Sequence, residues 1–196
     1  WTPIGDTNDG YTGTFDGNGH KISNLVCERT GDKQVSGLFA QLKENSVVRN
    51  LGMEDGVFTS STSTAGAVAA KSNLGKVINC WNSGKVTAHD YAGGIVGSSQ
   101  GWIESCKNSG AIKATWGYGR SGGIAGEQVC DRNSSQQYVR TYIKYCYNTG
   151  TADAYYAGGI TGYQSYKNRE ACDIISCWSD AVITGSITGG IAGSLA

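Results

Sequence analysis

The sequence predicts an all-β protein built as a parallel β-solenoid (β-helix), in about six coils of about three short strands each. Two observations carry this expectation. A glycine tetrad recurs at fixed phase, as SGLF (Ser36–Phe39), AGAV (Ala65–Val68), AGGI (Ala92–Ile95), SGGI (Ser121–Ile124), AGGI (Ala157–Ile160) and TGGI (Thr188–Ile191). Its leading glycines Gly37, Gly66, Gly93, Gly122, Gly158 and Gly189 repeat at roughly thirty residues, the period of a stacked repeat. The segments between them are short, alternate with period two as half-buried strands do, and show no sustained helical period.

Each unit has the same internal order. The tetrad places a bulky apolar residue two positions after the leading glycine: Phe39, Val68, Ile95, Ile124, Ile160 and Ile191. A second block follows: ISNL (Ile22–Leu25), VRNL (Val48–Leu51), VINC (Val77–Cys80), IESC (Ile103–Cys106), IKYC (Ile143–Cys146) and IISC (Ile174–Cys177). A third reads KVTA (Lys85–Ala88), AIKA (Ala111–Ala114), TADA (Thr151–Ala154) and AVIT (Ala181–Thr184). Residues of one character at one phase are what stacked rungs produce. A β-sandwich or a propeller is the competing architecture, but a propeller blade takes four strands and usually ~40 residues or more. The units expected are 13–36, 37–65, 66–92, 93–121, 122–157 and 158–188, with the start of another at 189–196, all in one domain spanning 1–196.

Composition narrows the function classes. Lys plus Arg and Asp plus Glu each number 16, so no net field favours nucleic acid or an anionic membrane. No apolar run approaches the ~18 residues of a membrane span, and no membrane insertion by this segment is expected. The 30 glycines with a single proline fit turn-dense β structure. The opening WTPIGD carries no leader, and the closing GGIAGSLA begins another unit. A fragment of a longer chain, partnered by further domains of that chain, is therefore expected.

Four of the seven cysteines sit in one recurring context: CWNSG (Cys80–Gly84), CKNSG (Cys106–Gly110), CYNTG (Cys146–Gly150) and CWSDA (Cys177–Ala181). The slot of Cys80, Cys106, Cys146 and Cys177 is filled by Leu25 and Leu51 in the first units, which marks it as apolar and buried. A disulfide within the column remains open at this stage. Zinc needs four ligands converging on a point, so no metal or other cofactor is expected. Cys130 and Cys172 lie in insertions at one corner of successive units, where the two loops can meet, so a disulfide between them is a candidate and a pair of free thiols is the alternative. Asn82, Asn108 and Asn148, two positions after the column, are expected to form a structural ladder at the corner. Asn tolerates left-handed backbone there, and its amide can bond to the next coil.

FDGNGHKISNL (Phe15–Leu25) followed by SGLFAQL (Ser36–Leu42), and then by GGIxG repeats with C-x-N-x-G turns, resembles the GLUG-motif repeat family. The resemblance implies a right-handed β-helix, a bacterial cell-surface or secreted location, and a non-catalytic adhesin or scaffold role toward a host protein or glycan.

A carbohydrate-active β-helix enzyme, a polysaccharide lyase or glycoside hydrolase, is the alternative. Glycoside hydrolysis needs two carboxylates about 5–10 Å apart, and the acids here are scattered along the chain with no column shared by neighbouring units. His20 sits in a turn. His89 is followed by Asp90, whose side chain would point away from it on an extended chain, so neither histidine has an orienting partner. DTNDG (Asp6–Gly10) reads as a polar turn. Candidate binding residues fall in two groups. An outward stripe beside the cysteine column comprises Trp81, Lys107, Tyr147 and Trp178. The insertions contribute Arg132, Tyr138, Arg140, Tyr163 and Tyr166. A further aromatic set precedes the tetrads: Tyr91, Trp116, Tyr118, Tyr155 and Tyr156. Stacking on sugar rings and cross-rung stacking that only stabilises the sheet are both open for these aromatics.

Overall fold

The computed structural model describes residues 1–130, 135, 137, 139–166 and 172–195. Every strand pairing among them is parallel, and each strand pairs with its counterpart one coil away in three stacked walls. The fold is a parallel β-solenoid. The first wall is built from Phe39–Leu42, Ala69–Ile78, Val96–Glu104, Ala125–Cys130, Thr161–Tyr166 and Ala192–Leu195, joined by Thr14–Asp16, Val47–Arg49, Tyr142–Lys144 and Asp173–Ile175. The second is the narrow stack Lys21–Ser23, Gly52–Glu54, Trp81–Asn82, Lys107–Asn108, Tyr147–Asn148 and Trp178–Ser179. The third runs through Val26–Arg29, Val57–Ser60, Lys85–Ala88, Ala111–Ala114, Thr151–Gly158 and Val182–Gly189, with Ala65–Gly66, Tyr91–Gly93 and Arg120–Gly122 along its far edge.

Alternation along each strand puts every second side chain into the bore. The first wall contributes the column Val48, Val77, Ile103 and Ile143, all fully buried and in register. The third contributes Cys27, Phe58, Val86, Ile112 and Ala152, also in register. Cys27 is thus a core residue filling the slot that Phe58 fills in the next coil. Among the described residues, no helix is long and apolar enough to cross a membrane.

The tetrads are corners rather than strands. Ala92 and Gly93 end a strand of the third wall, Gly94 and Ile95 bend, and Val96 opens a strand of the first. The bend turns Ile95, Ile124 and Ile160 fully into the core. The glycines align as Gly66, Gly93, Gly122, Gly158 and Gly189. At Gly93, Gly122 and Gly158 an added Cβ would collide with the carbonyl oxygens of Val96, Ala125 and Thr161 respectively, so close backbone approach selects glycine here.

The second corner corrects two expectations. Leu25 does not stand with Leu51 and the cysteines, because Lys21 pairs with Gly52 and Val26 with Val57, which puts Leu25 in line with Gly56. Phe15, not Ile22, pairs with Val48. FDGN and ISNL both carry an apolar residue followed by a polar turn, and the pattern alone does not say which one meets the first wall. Nor is the left-handed backbone at Asn82, Asn108 and Asn148. It lies just before the cysteine column, at Asn50, Asn79, Ser105, Tyr145 and Ser176, with φ between 50° and 56°. There the chain turns from the first wall to the second, a conformation that favours Asn and costs Ser or Tyr roughly 1 kcal/mol.

The cysteine column itself is buried. Cys80, Cys106 and Cys146 are at most 1% exposed, while Cys177 on the last coil is half-buried. The backbone N–H of each faces the next sulfur, at 3.5 Å for Cys80 to Cys106, 3.3 Å for Cys106 to Cys146 and 3.4 Å for Cys146 to Cys177. Cys27, Cys80, Cys106, Cys146 and Cys177 are free thiols, and burial pushes Cys106 well above the ordinary thiol range.

Inside the second wall, Asn82, Asn108 and Asn148 are 0–1% exposed and form the ladder. Asn82 donates to Asn108 Oδ1 at 2.8 Å, and Asn108 donates to Asn148 Oδ1 at 2.9 Å. Each Oδ1 also accepts the amide of the glycine two residues on, Gly84, Gly110 or Gly150. Those glycines have ordinary φ but pack against the coil before, and a Cβ on Gly110 would strike the carbonyl of Gly84. The same column holds Ile22 and Met53 in earlier coils and Ser179 in the last, and the Asn148 Nδ2 is left without a partner.

Two measurements check this packing. Gly110→Ala should destabilise the protein by about 1–3 kcal/mol in denaturant unfolding, the range for an overpacked interior. In timed alkylation with mass spectrometry, Cys177 should react first, and Cys27, Cys80, Cys106 and Cys146 only after unfolding. Equal native reactivity of Cys106 and Cys177 would contradict the buried stack.

Candidate functional site

The outward stripe forms as a register-matched row. Trp81 pairs with Lys107, Lys107 with Tyr147 and Tyr147 with Trp178. Its members bind one another. The Tyr147 and Trp178 rings stack with centroids 4.8 Å apart and planes 2° from parallel. Lys107 Nζ lies 5.7 Å from the Trp81 ring, and the Trp81 indole covers Gly52, where a Cβ would run into it. Cross-rung stacking and cation–π contact thus occupy these faces, leaving Trp178 the most open ring at 51% exposed.

The insertions are tied down chemically. Cys130 and Cys172 form a disulfide with Cα atoms 5.6 Å apart, and both residues are buried. Arg140 makes a two-pronged contact with Asp173, at 2.6 and 3.1 Å. Tyr163 packs against Tyr156 at 5.5 Å and under the Arg120 guanidinium at 3.8 Å. The backbone of Tyr166 pairs with Cys130. Arg132 and Tyr138 lie outside the described residues.

The aromatic set before the tetrads assembles into a continuous belt at the corner of the third wall. Trp116 meets Tyr118 at 5.6 Å, Tyr118 meets Tyr155 at 5.3 Å and Tyr155 meets Tyr156 at 4.8 Å, all edge-to-face. Arg120 continues the belt, its guanidinium between Tyr163 and Tyr91 and its Nη1 paired with Glu127. His89 stacks on Trp116 at 6.0 Å, and its Nδ1 sits 2.6 Å from Asp90 Oδ1. This corrects the expectation that Asp90 points away. The chain bends at 89–90 instead of running extended.

Beside the belt opens a cleft of about 400 Å³. It is lined by the rings of Trp116 and Tyr155, by the small residues Ala154 and Gly185, and by the polar Lys113, Asp153 and Ser186. Lys113 and Asp153 are in register and 2.8 Å apart. Asp153 also accepts a bond from Thr184 Oγ1 at 3.0 Å. The Lys113 bond holds Asp153 below the usual carboxylate range, helped by Thr184, and the same pair raises Lys113. Trp116 and Tyr118 are 46% and 58% exposed, so the belt offers open aromatic area beside fixed polar groups. Its aromatic members were legible from their position before each tetrad. The Lys113–Asp153 edge was not, because it exists only once the coil register is known.

Elsewhere carboxylates meet cations across rungs, as Asp16 with Arg49 at 2.8 Å and Glu54 with Lys21 at 2.5 Å. In the strand pairings of the described residues no carboxylate stands in register with another. Asp6, in the DTNDG turn, accepts the amides of Asn8 and Asp9 at 2.6 and 2.7 Å.

No family model matches the chain. It is 36% identical over 91 residues to halomucin of Haloquadratum walsbyi, covering 46% of this chain and 1% of that protein. It is 42% identical over 53 residues to a candidate Gly-rich membrane protein of Evansella cellulosilytica, covering 27% of this chain and 6% of that one. The chain therefore spans only a small fraction of these relatives. Among solved structures, it superposes on a candidate immunoglobulin A1 protease of Bacteroides ovatus with a TM-score of 0.69. That match has 19% identity and covers 91% of this chain and 68% of the other. The likeness shows a shared fold.

The Lys113–Asp153 edge is open to direct measurement. By NMR, the Asp153 carboxyl should titrate with a midpoint below 3.8. Asp153→Asn should lower the Lys113 midpoint toward its ordinary 10.5, because the carboxylate stabilises the charged ammonium.

Proposed function

We propose that the chain is a non-catalytic, GLUG-type repeat module of a bacterial cell-surface or secreted protein, and that its aromatic corner binds glycan. The observation that carries this reading is the cleft flanked by Trp116 and Tyr155 and edged by the Lys113–Asp153 pair. A pyranose ring has an apolar face and a rim of hydroxyls. Aromatic walls match the face, and the ammonium, carboxylate and Ser186 hydroxyl match the rim. The Trp81–Trp178 stripe is the weaker candidate, since Tyr147 is covered by Trp178 and Trp81 faces Lys107, leaving Trp178 as its one widely exposed ring.

The relatives support the setting. One is named halomucin, one a candidate Gly-rich membrane protein, and the structural neighbour a candidate immunoglobulin A1 protease. Carboxylates paired with cations rather than with each other support a binding role over glycoside hydrolysis. A stack of rigid coils also suits a spacer that presents side faces to a ligand.

A glycan array followed by calorimetry tests the reading. Trp116→Ala and Tyr155→Ala should each weaken binding of the best glycan about tenfold or more, ~1.4 kcal/mol, while Trp81→Ala leaves it unchanged. Binding that survives both corner substitutions, or turnover of the glycan that is lost with one carboxylate, would sink it.

A further inference from the structure

The amino-terminal segment lies over the first coils. The backbone nitrogen of Trp1 donates to the Val26 carbonyl at 2.7 Å, and Ile4 pairs with Phe39. Between this segment and the turn that follows Arg29 is a cavity of about 240 Å³. It shares no residue with the aromatic corner. Its apolar side is Pro3, Val35 and Ala40, all buried. Thr2 and Thr7 bring hydroxyls, and Arg29 and Lys33 bring positive charge.

The charges in this cavity do not cancel. Among the described residues, Arg29 Nε has no hydrogen-bond partner and is closed off from solvent, so a ligand in the cavity meets this guanidinium through its two outer nitrogens. Among the described residues neither Arg29 nor Lys33 joins an ion pair. The carboxylate at the rim, Asp6, is turned to its own loop, where it accepts two backbone amides. A carboxylate placed against Arg29 and Lys33 would supply the missing counter-charge, and planar guanidinium–carboxylate pairing is among the stronger contacts available to a protein.

Size and lining narrow the ligand. The space is much larger than a bare inorganic anion needs and below the range of drug-sized pockets, roughly 300–1,000 Å³. One apolar wall and a hydroxyl-bearing rim match a single sugar ring. We propose that this cavity binds an acidic monosaccharide unit of the uronic- or sialic-acid class, its carboxylate held by Arg29 and Lys33 and its ring face against Pro3 and Val35. It is a second site, independent of the glycan reading of the aromatic corner.

The test is an NMR titration of the full chain, following backbone amides and the arginine Nε–H signals. The probes are glucuronate and N-acetylneuraminate, with glucose and sodium sulfate as controls. At least one acidic sugar should give saturable shifts at Val35, Ala40 and the Arg29 Nε–H, and glucose none. Arg29→Gln should weaken that binding about tenfold or more. So should Lys33→Asn, which removes the charge while suiting the left-handed backbone of that position (φ 53°). Circular dichroism confirms that each variant is folded, and Trp116→Ala should leave the affinity unchanged. The proposal is overturned if neither acidic sugar produces saturable shifts, if glucose or sulfate binds as tightly, or if affinity persists in both folded variants.

Discussion

The structure depends on backbone lying directly on backbone. Coils joined by parallel ladders stack at about 4.8 Å, and at the glycine positions of two corners there is no room for a Cβ between successive turns. The Gly66–Gly189 column and the Gly84–Gly110–Gly150 column are where that constraint is tightest. Once those positions are glycine, register is fixed, and every other column follows from it: the isoleucines at the tetrad bend, the buried thiols and the asparagine ladder. The ladder is the polar counterpart of the glycine contact, because each amide satisfies both its own corner and the neighbouring coil.

Much of this was legible from spacing. The tetrad phase sets the period, and the interchange of Leu51 with cysteine marks a buried slot. What failed had a common physical cause. The sequence shows which residues alternate, but the wall a block belongs to depends on turn length. The extra residues of the Gly17–His20 turn shift ISNL onto the second wall. Left-handed residues were sought at asparagine, yet Ser105, Tyr145 and Ser176 adopt that backbone too, so chain position outweighs propensity. The His89–Asp90 contact is not legible in the sequence, because side chains of adjacent residues meet there only through the bend at 89–90.

The same register logic separates a covered aromatic surface from an open one. Where aromatic and basic residues fall in line on one flat wall, as from Trp81 to Trp178, they stack on one another and the inner rings are covered. Where they lie at a corner, with an open turn at Gly117 and small residues in the lining, the rings tilt edge-to-face and leave a cleft. The fold thus positions the site by placing bulk at a bend and smallness beside it.

The Cys130–Cys172 bond has a mechanical consequence. Ladders of this kind are peeled one coil at a time when a chain is pulled from its ends. The bond joins residues 42 apart in sequence, a segment that would extend to about 140–150 Å if released. With the bond intact, tension passes through the two sulfurs and that length is never paid out. A module under shear would then lengthen in the coils before the bridge and after it, while the looped segment carries no load.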